Sequence, residues 1–432
     1  LETPKYGGVL TLSRPTDAGR WEPILERSGG MQVLTHDSLW DGDWARGPAG
    51  GYGAKAASWT ISNDVFDLKA GAVAESWKWT VDSGKNEGTI VYQIRQGVRY
   101  GLNPASEASR LVGGRAMTTD DVVFSLLRLV KDTKSYVYGA TPEIRTANIT
   151  KTGPWEVTVK IPIDGVVSAL SRMGGNGRVV PPEVIQKYGD MEDWRNAVGT
   201  GPFMVTERVA GSSILNIKNP NYWGKDPVGP GKGNQLPYLD AVRYLVIPDK
   251  STQFAALRTG KLDQLAEVAQ VDATSMRQTS KDLLETESGN AGGGGIYMNT
   301  QRAPFTDVRV RQAIMLATDL VAINQSLFAG KGQINNFPWA YYVEYADLYL
   351  SLDAPDMPAS VKELYTYNPT KAKQLLKEAG YPNGFKTSAM ILATDGDYFS
   401  IMKDMWAKVG IDLTLDIKES GALTSLGLAG NY

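Results

Sequence analysis

The chain has 432 residues and no cysteine, so it carries no disulfide, no thiolate metal ligand and no cysteine nucleophile. Such a chain is compatible with an oxidising compartment. Histidine occurs once, at His36. A Ser-His-Asp triad would have to use that residue, and a multi-histidine metal site is excluded. No apolar run approaches the roughly 18 residues that cross a bilayer. Net charge is −2, so no basic field speaks for nucleic acid or an anionic membrane. Catalytic signatures are missing too: there is no G-x-S-x-G, no H-E-x-x-H, no P-loop and no G-x-G-x-x-G. GPGKGN (229–234) lacks the spacing and the Ser/Thr that would hold magnesium, and ATDGDYF (393–399) is too short for a calcium loop and reads as a polar turn. Phenylalanine is scarce, with 9 residues against 20 Tyr and 11 Trp. Tyr and Trp carry a polar handle and suit half-wet surfaces, either stacking on a ligand or plugging seams.

At roughly 150 residues per domain, the length implies two or three domains. The start, LETPKYGG, is polar and shows no export signal, as in a cytoplasmic protein or a mature chain whose signal has been removed. Strands are expected at 7–13, at 88–100 with Ile90, Tyr92 and Ile94 on one face, at 155–161, and on both sides of the Gly/Pro-rich loop 224–237. Thr118 and Asp121 form a capping box ahead of a helix whose stripe is Val122, Leu126, Leu129 and Val130. That role explains the Asp120-Asp121 pair better than hydrolytic chemistry does; carboxylate pairs are plentiful, Asp41 and Asp43 being another. A helix closed by Gly260 spans 251–263 and leads into a strand start, IYMNT reads as a strand, and Asp307 caps one long helix over 308–328. Asn368, Pro369, Gly380 and Pro382 punctuate a further helix, and 398–417 reads as helix, Gly410 stop, strand. The interleaving gives an α/β or α+β architecture, with the glycine run 292–295 as the candidate boundary or hinge.

One stretch asks for an explanation. Val198-Gly199-Thr200-Gly201-Pro202-Phe203 fixes a bend, and NPNYWGKDP (219–227) soon sets Tyr222 and Trp223 in a turn. The block AVGTGPFMVTERVAGSSILNIKNPNYWG (197–224), continuing to LRTGKLD at 263, resembles the extracellular solute-binding proteins of family 5. These are the peptide/nickel/opine class of ABC-transporter binding proteins. KYGGVLTLS (5–13), VAESWKWTVD (73–82), YQIRQGVRY (92–100), MTTDDVVFSLLRL (117–129), PFTDVRVRQAI (304–314) and YNPTKAKQLLKEAGYPNGF (367–385) agree in the same order.

The resemblance implies a two-lobe α/β fold, periplasmic-binding-protein type II-like, with an extra inserted subdomain (cluster C-like). Lobe I would comprise 1–35, the insertion 36–197, and 198–293; lobe II would be 294–432, with its C-terminal part missing relative to the family. The GTGP bend would return the chain from the insertion to lobe I, and NPNYWG would be a structural turn whose Tyr222 and Trp223 pack. The implied work is capture of an oligopeptide between the lobes and delivery to an ABC permease by a periplasmic or extracellular monomer, with a lipid anchor as one option and no cofactor. Nickel is not expected, given one histidine and no cysteine. An oligosaccharide ligand is the alternative, favoured by the Trp/Tyr excess and the aromatic stretch WDGDWARGPAGGYGAKAASW (40–59); a carboxylate hydrolase or a scaffold that has lost transport are the remaining readings. Candidate ligand residues are Ser13 and Arg14 at the end of the first strand, Asp37, Trp40 and Trp44 in HDSLWDGDW, Tyr297 and Asn299 on the expected crossover strand, and Trp339, Tyr341 and Tyr342. Arg14 would pair with a ligand carboxylate or sit solvated at the surface, and His36 would be a structural neighbour.

Overall fold

The computed structural model describes residues 2–25, 30–43, 45, 66, 69–266, 268–286, 295–334 and 349–432. The chain divides into two compact units, Leu1–Ala266 and Glu267–Tyr432. Glycines 292–294, part of the expected boundary run, lie outside the described residues, as do Trp44, Trp339, Tyr341 and Tyr342.

The first unit holds two four-stranded sheets. In one, β1 (Val9–Arg14) runs parallel to β10 (Ala241–Val246), which is followed by β9 (Ser213–Lys218) and β8 (Phe203–Val209), each antiparallel to its neighbour. A short pair, β2 (Trp40–Gly42) with β3 (Lys69–Gly71), leads to the second sheet. There β4 (Ala74–Asp82), β5 (Glu87–Ile94), β7 (Glu156–Ile161) and β6 (Asn148–Gly153) lie side by side, all antiparallel.

The alternation read from the sequence is what builds this core. Ile90 pairs with Val159 and Tyr92 with Val157, and all four side chains are buried on the same face. The helix Thr119–Lys131 lays Val122, Leu126, Leu129 and Val130 into the same cluster. Each such side chain contributes roughly 1.5–3 kcal/mol of burial free energy, before the entropy of ordering it. The expected capping box is present: the Asp121 amide donates to Thr118 Oγ1 (3.3 Å) and the Thr118 amide to Asp121 Oδ2 (2.8 Å). Arg115 then clamps Asp121 and Glu183, fastening this helix to Pro182–Tyr188. Thr118→Ala should therefore cost about 1 kcal/mol in urea denaturation; no measurable loss would deny the cap its role.

In the second unit, β11 (Phe385–Ile391), the helix Gly396–Ala407 and β12 (Ile411–Ile417) form a parallel crossover. The helices Val308–Leu316 and Pro369–Glu378 pack on it through Val310, Ile314 and Leu376. Asn368 caps the second of these by accepting from the Lys371 amide (3.0 Å). In the sequence ATDGDYF, Ala393–Asp395 forms a single 3-10 turn that runs into the helix Gly396–Ala407, and Asp395 Oδ2 accepts from the Leu392 amide.

Three expectations change. The single helix over 308–328 is two, Val308–Leu316 and Leu320–Phe328, because Asp319 opens a new cap by accepting from the Ala322 amide (2.9 Å). Thr318, at the break, accepts from Trp406 Nε1 (2.9 Å) and donates to the Ile314 carbonyl. Residues 296–299 form no strand: the described sheet of this unit is β11–β12, and they pair with neither. No strand follows Gly260 either, although the Asp263 amide donates to the Thr11 carbonyl (2.9 Å) beside β1.

Candidate functional site

The GTGP bend and the HDSLW segment meet in the first unit. The Gly201 amide donates to the Thr35 carbonyl (3.0 Å), and the Gly101 amide to the Gly199 carbonyl (2.9 Å). Side chains are forbidden by this close approach. A Cβ on Gly199 would lie 2.2 Å from the Thr35 oxygen, and one on Gly201 would lie 2.6 Å from the Thr35 carbonyl carbon. Asn219 locks the next turn, donating from Nδ2 to the Gly201 carbonyl (2.9 Å) and accepting from the Asn221 amide (2.9 Å).

The bend therefore places buried Thr200 against Asp37, whose amide donates to Thr200 Oγ1 (3.4 Å). The NPNYWG turn swings Trp223 over the same carboxyl, and its Nε1 donates to Asp37 Oδ2 (2.8 Å). Arg95 stacks on Trp223, 4.3 Å from guanidinium carbon to ring centroid. It is aimed there by Nε donating to the Ala72 carbonyl (2.7 Å). Burial pushes the Asp37 carboxyl up to about 7, against the hydrogen bonds from Trp223 and Thr200; Asp41 adds to the rise and Arg95 opposes it. His36 behaves in the opposite way. Burial, and then the nearby Arg178 charge, hold its imidazole down to about 3, opposed by a hydrogen bond with the Val198 backbone. It shares a 2.8 Å hydrogen bond with Thr35 Oγ1. The one imidazole of the chain is thus enclosed, and its burial favours the neutral form.

The candidate residues fall into separate places. Asp37 belongs to the cluster just described, with Thr200, Arg95 and Trp223. Ser13 and Arg14 end β1 opposite Leu245 and Val246. Arg14 Nη1 donates to Met31 Sδ (3.0 Å), and its guanidinium lies 5.9 Å from the Tyr244 ring. Trp40, expected as a stacking surface, has none of its area exposed. Its ring sits 4.4 Å from Trp77 and 6.2 Å from Tyr92, and a Cβ on Gly174 would fall within 1.9 Å of it. In the second unit Tyr297 is 83% exposed, and Asn299 Nδ2 donates to the Gly430 (3.1 Å) and Tyr432 (3.2 Å) carbonyls.

Sequence reasoning passed over Arg95 and Thr200; its reading of Trp223 as a packing residue agrees with the ring lying against the buried core, and the hydrogen bond to Asp37 is what it did not foresee. The only signal was indirect: an indole beside a glycine-fixed bend, with a carboxylate in the other segment that the bend must touch. Among the described residues, no group of three or more His, Cys, Asp or Glu side chains is placed to hold a metal ion, and no helix is long and apolar enough to cross a membrane.

Residues 70–432 match the model of bacterial extracellular solute-binding proteins, family 5 Middle. Heme-binding protein A of Haemophilus influenzae is 28% identical over 82% of this chain. The dipeptide-binding protein of Escherichia coli is 26% identical over 85%. The chain spans 64% of the first relative's length and 68% of the second's. A peptide-bound periplasmic binding protein of Helicobacter pylori has the same fold, with a TM-score of 0.73 at 22% identity, covering 97% of this chain and 75% of that one. An oligopeptide-binding protein of Bacillus subtilis has a TM-score of 0.66 at 20% identity, covering 98% and 77%. The fold is the two-lobe α/β fold of periplasmic binding proteins.

Proposed function

We propose, because this chain belongs to the bacterial extracellular solute-binding proteins of family 5, that it captures an oligopeptide between its two units and delivers it to an ABC permease. The work is binding without turnover. The observation that carries the peptide reading is the dipeptide-binding relative, whose similarity runs over 85% of this chain. The glutathione-binding protein of Escherichia coli, 27% identical over 62% of the chain, adds a second peptide-like ligand. The first relative is named for heme, which the sole imidazole, buried at His36, is badly placed to ligate.

In this reading residues 1–35 and 198–293 form the first lobe around an inserted subdomain, 36–197, and residues 294–432 belong to the second. Ser13, Arg14 and Asp37 on one side, with Tyr297, Asn299 and the aromatics Trp339, Tyr341 and Tyr342 on the other, are the proposed contacts. Trp44 would join the first group, and Arg14 would take a ligand carboxylate. Ligand shifts an open–closed equilibrium only through contacts that are better in the closed state. The closed form would be what the permease recognises, outside the cytoplasmic membrane.

The test is mass spectrometry of what the purified protein releases on denaturation, followed by thermal denaturation with the compounds found. Short peptides are expected, and a peptide at a hundred times its Kd should stabilise the fold by about 2.7 kcal/mol. Release of hexose oligomers alone, with stabilisation by those and not by peptides, would replace the peptide reading with the oligosaccharide one. Release of heme with a Soret band would replace it with heme capture.

A further inference from the structure

The first unit contains a cavity of about 480 Å³ between the start of β8 and the segment 103–110, bordered on one side by Thr35 and by Val198 and Gly199 of the GTGP bend. Its floor is apolar: Ala108, Phe203, Met204 and Val205 are buried there. The polar groups at its mouth are unequally engaged. Asp193 is taken up by Arg195, whose Nη1 donates to its two carboxylate oxygens (3.1 and 2.9 Å). Glu107 accepts from Lys187 Nζ, which is the first cause of its lowered pKa, with Arg110 the least. Arg110 itself makes one hydrogen bond among the described residues, from Nη1 to the neutral Pro104 carbonyl (2.6 Å). Asn103 uses its Oδ1 to accept from the Ala105 amide (3.0 Å), which leaves its NH₂ as a donor. The segment is held in place: Ser106 Oγ donates to the Arg195 carbonyl (2.8 Å) and accepts from the Ser109 amide.

The two acids are therefore neutralised by partners of their own, while a guanidinium and an amide remain free to donate above an apolar floor. We infer that this cavity binds a small carboxylate with an aromatic or branched apolar body, independently of any ligand held between the units. Its volume falls within the roughly 300–1,000 Å³ of small-molecule sites and suits a molecule of amino-acid-derivative size. The apolar body would lie on Phe203 and Val205, which share one face of the strand, and the carboxylate would meet Arg110 and the Asn103 amide.

Isothermal titration of the full chain with N-acetyl-L-phenylalanine, and with its neutral amide, tests this. One molecule of the acid should bind per chain, with the amide weaker by about tenfold, the usual advantage of a charge-assisted pair. Ala105 is exposed at the rim, so Ala105→Trp should fold normally and abolish binding by filling the mouth. Arg110→Gln should make acid and amide equal. The inference is overturned by no binding of the acid up to about 10 mM, by equal affinity of acid and amide in the unaltered protein, or by binding that survives Ala105→Trp. In the last case the probe occupies another site. Capture of peptides is expected to be unchanged in both variants, so failure here leaves the transport reading standing, and the reverse holds as well.

Discussion

Gly199→Ala should destabilise the protein by more than about 4 kcal/mol, the range reserved for changes that the fold cannot absorb. The added methyl would stand 2.2 Å from the Thr35 carbonyl oxygen and 2.6 Å from the His36 ring. The first obstacle is backbone and the second a buried ring, so neither can swing aside as the end of a flexible side chain would. Relief requires pulling the bend away from residues 34–36, which breaks the Gly201–Thr35 hydrogen bond and lifts Thr200 and Trp223 from Asp37. Gly211→Ala is the control. Gly211 has φ +68° with nothing within 4 Å of its would-be Cβ, so only conformational strain of about 1–2 kcal/mol is expected. Urea denaturation of the two variants should separate them clearly. Equal midpoints would mean that the GTGP bend is tolerant and that its glycines are not there for close approach.

This bend also shows what a sequence discloses and what it withholds. Gly-Thr-Gly-Pro announced a turn, since proline fixes φ and glycine permits backbone conformations and close approaches that other residues cannot make. The partner of the turn was invisible, because Thr35 and His36 are more than 160 positions away and no periodicity links the two segments. Periodicity did expose the core: Ile90, Tyr92 and Ile94 alternate, the stripe from Val122 to Val130 has helical spacing, and all of these are buried. It failed where local chemistry is ambiguous. Thr318-Asp319 reads equally well as helix interior and as a new cap, and only the Trp406 indole reaching Thr318 shows why the chain breaks there. Trp40 failed for another reason. Exposure of an indole depends on what lies above it, and Gly174, the residue that leaves room for its ring, lies on a helix more than a hundred positions later. Arg95 was hidden likewise, because a strand-end arginine gains meaning only when Trp223 is brought beneath it.

Asp37→Asn and His36→Gln should give opposite pH dependences of stability, each masked in the unaltered protein by the other residue. The Asp37 carboxyl is raised from 3.8 to about 7 by burial. The fold then holds a proton that the unfolded chain releases, so this group's contribution falls as pH rises from about 4 to about 7. The His36 imidazole is lowered from 6.5 to about 3, so the unfolded chain binds the extra proton and this contribution rises with pH over about 3 to 6.5. Between about 4 and 6.5 the two slopes are opposite and nearly equal, and the pair is close to neutral. Asparagine at 37 keeps an oxygen to accept from Trp223 Nε1 but cannot ionise. It should leave the rising His36 slope exposed, on the order of 1 kcal/mol per pH unit relative to the unaltered protein. Glutamine at 36 should leave the falling Asp37 slope, of similar size, and should make the fold more stable near pH 5 than near pH 7, measured again as a difference from the unaltered protein. Differences of this kind cancel the titration of groups that do not interact with the pair, whereas Asp41, Arg95 and Arg178 face it and keep their coupling to it. Urea denaturation at half-unit steps from pH 4 to 7.5 checks both signs. Parallel curves for the three proteins would show that neither group changes its protonation between the folded and unfolded chains, and that the bend encloses them less tightly than the geometry implies.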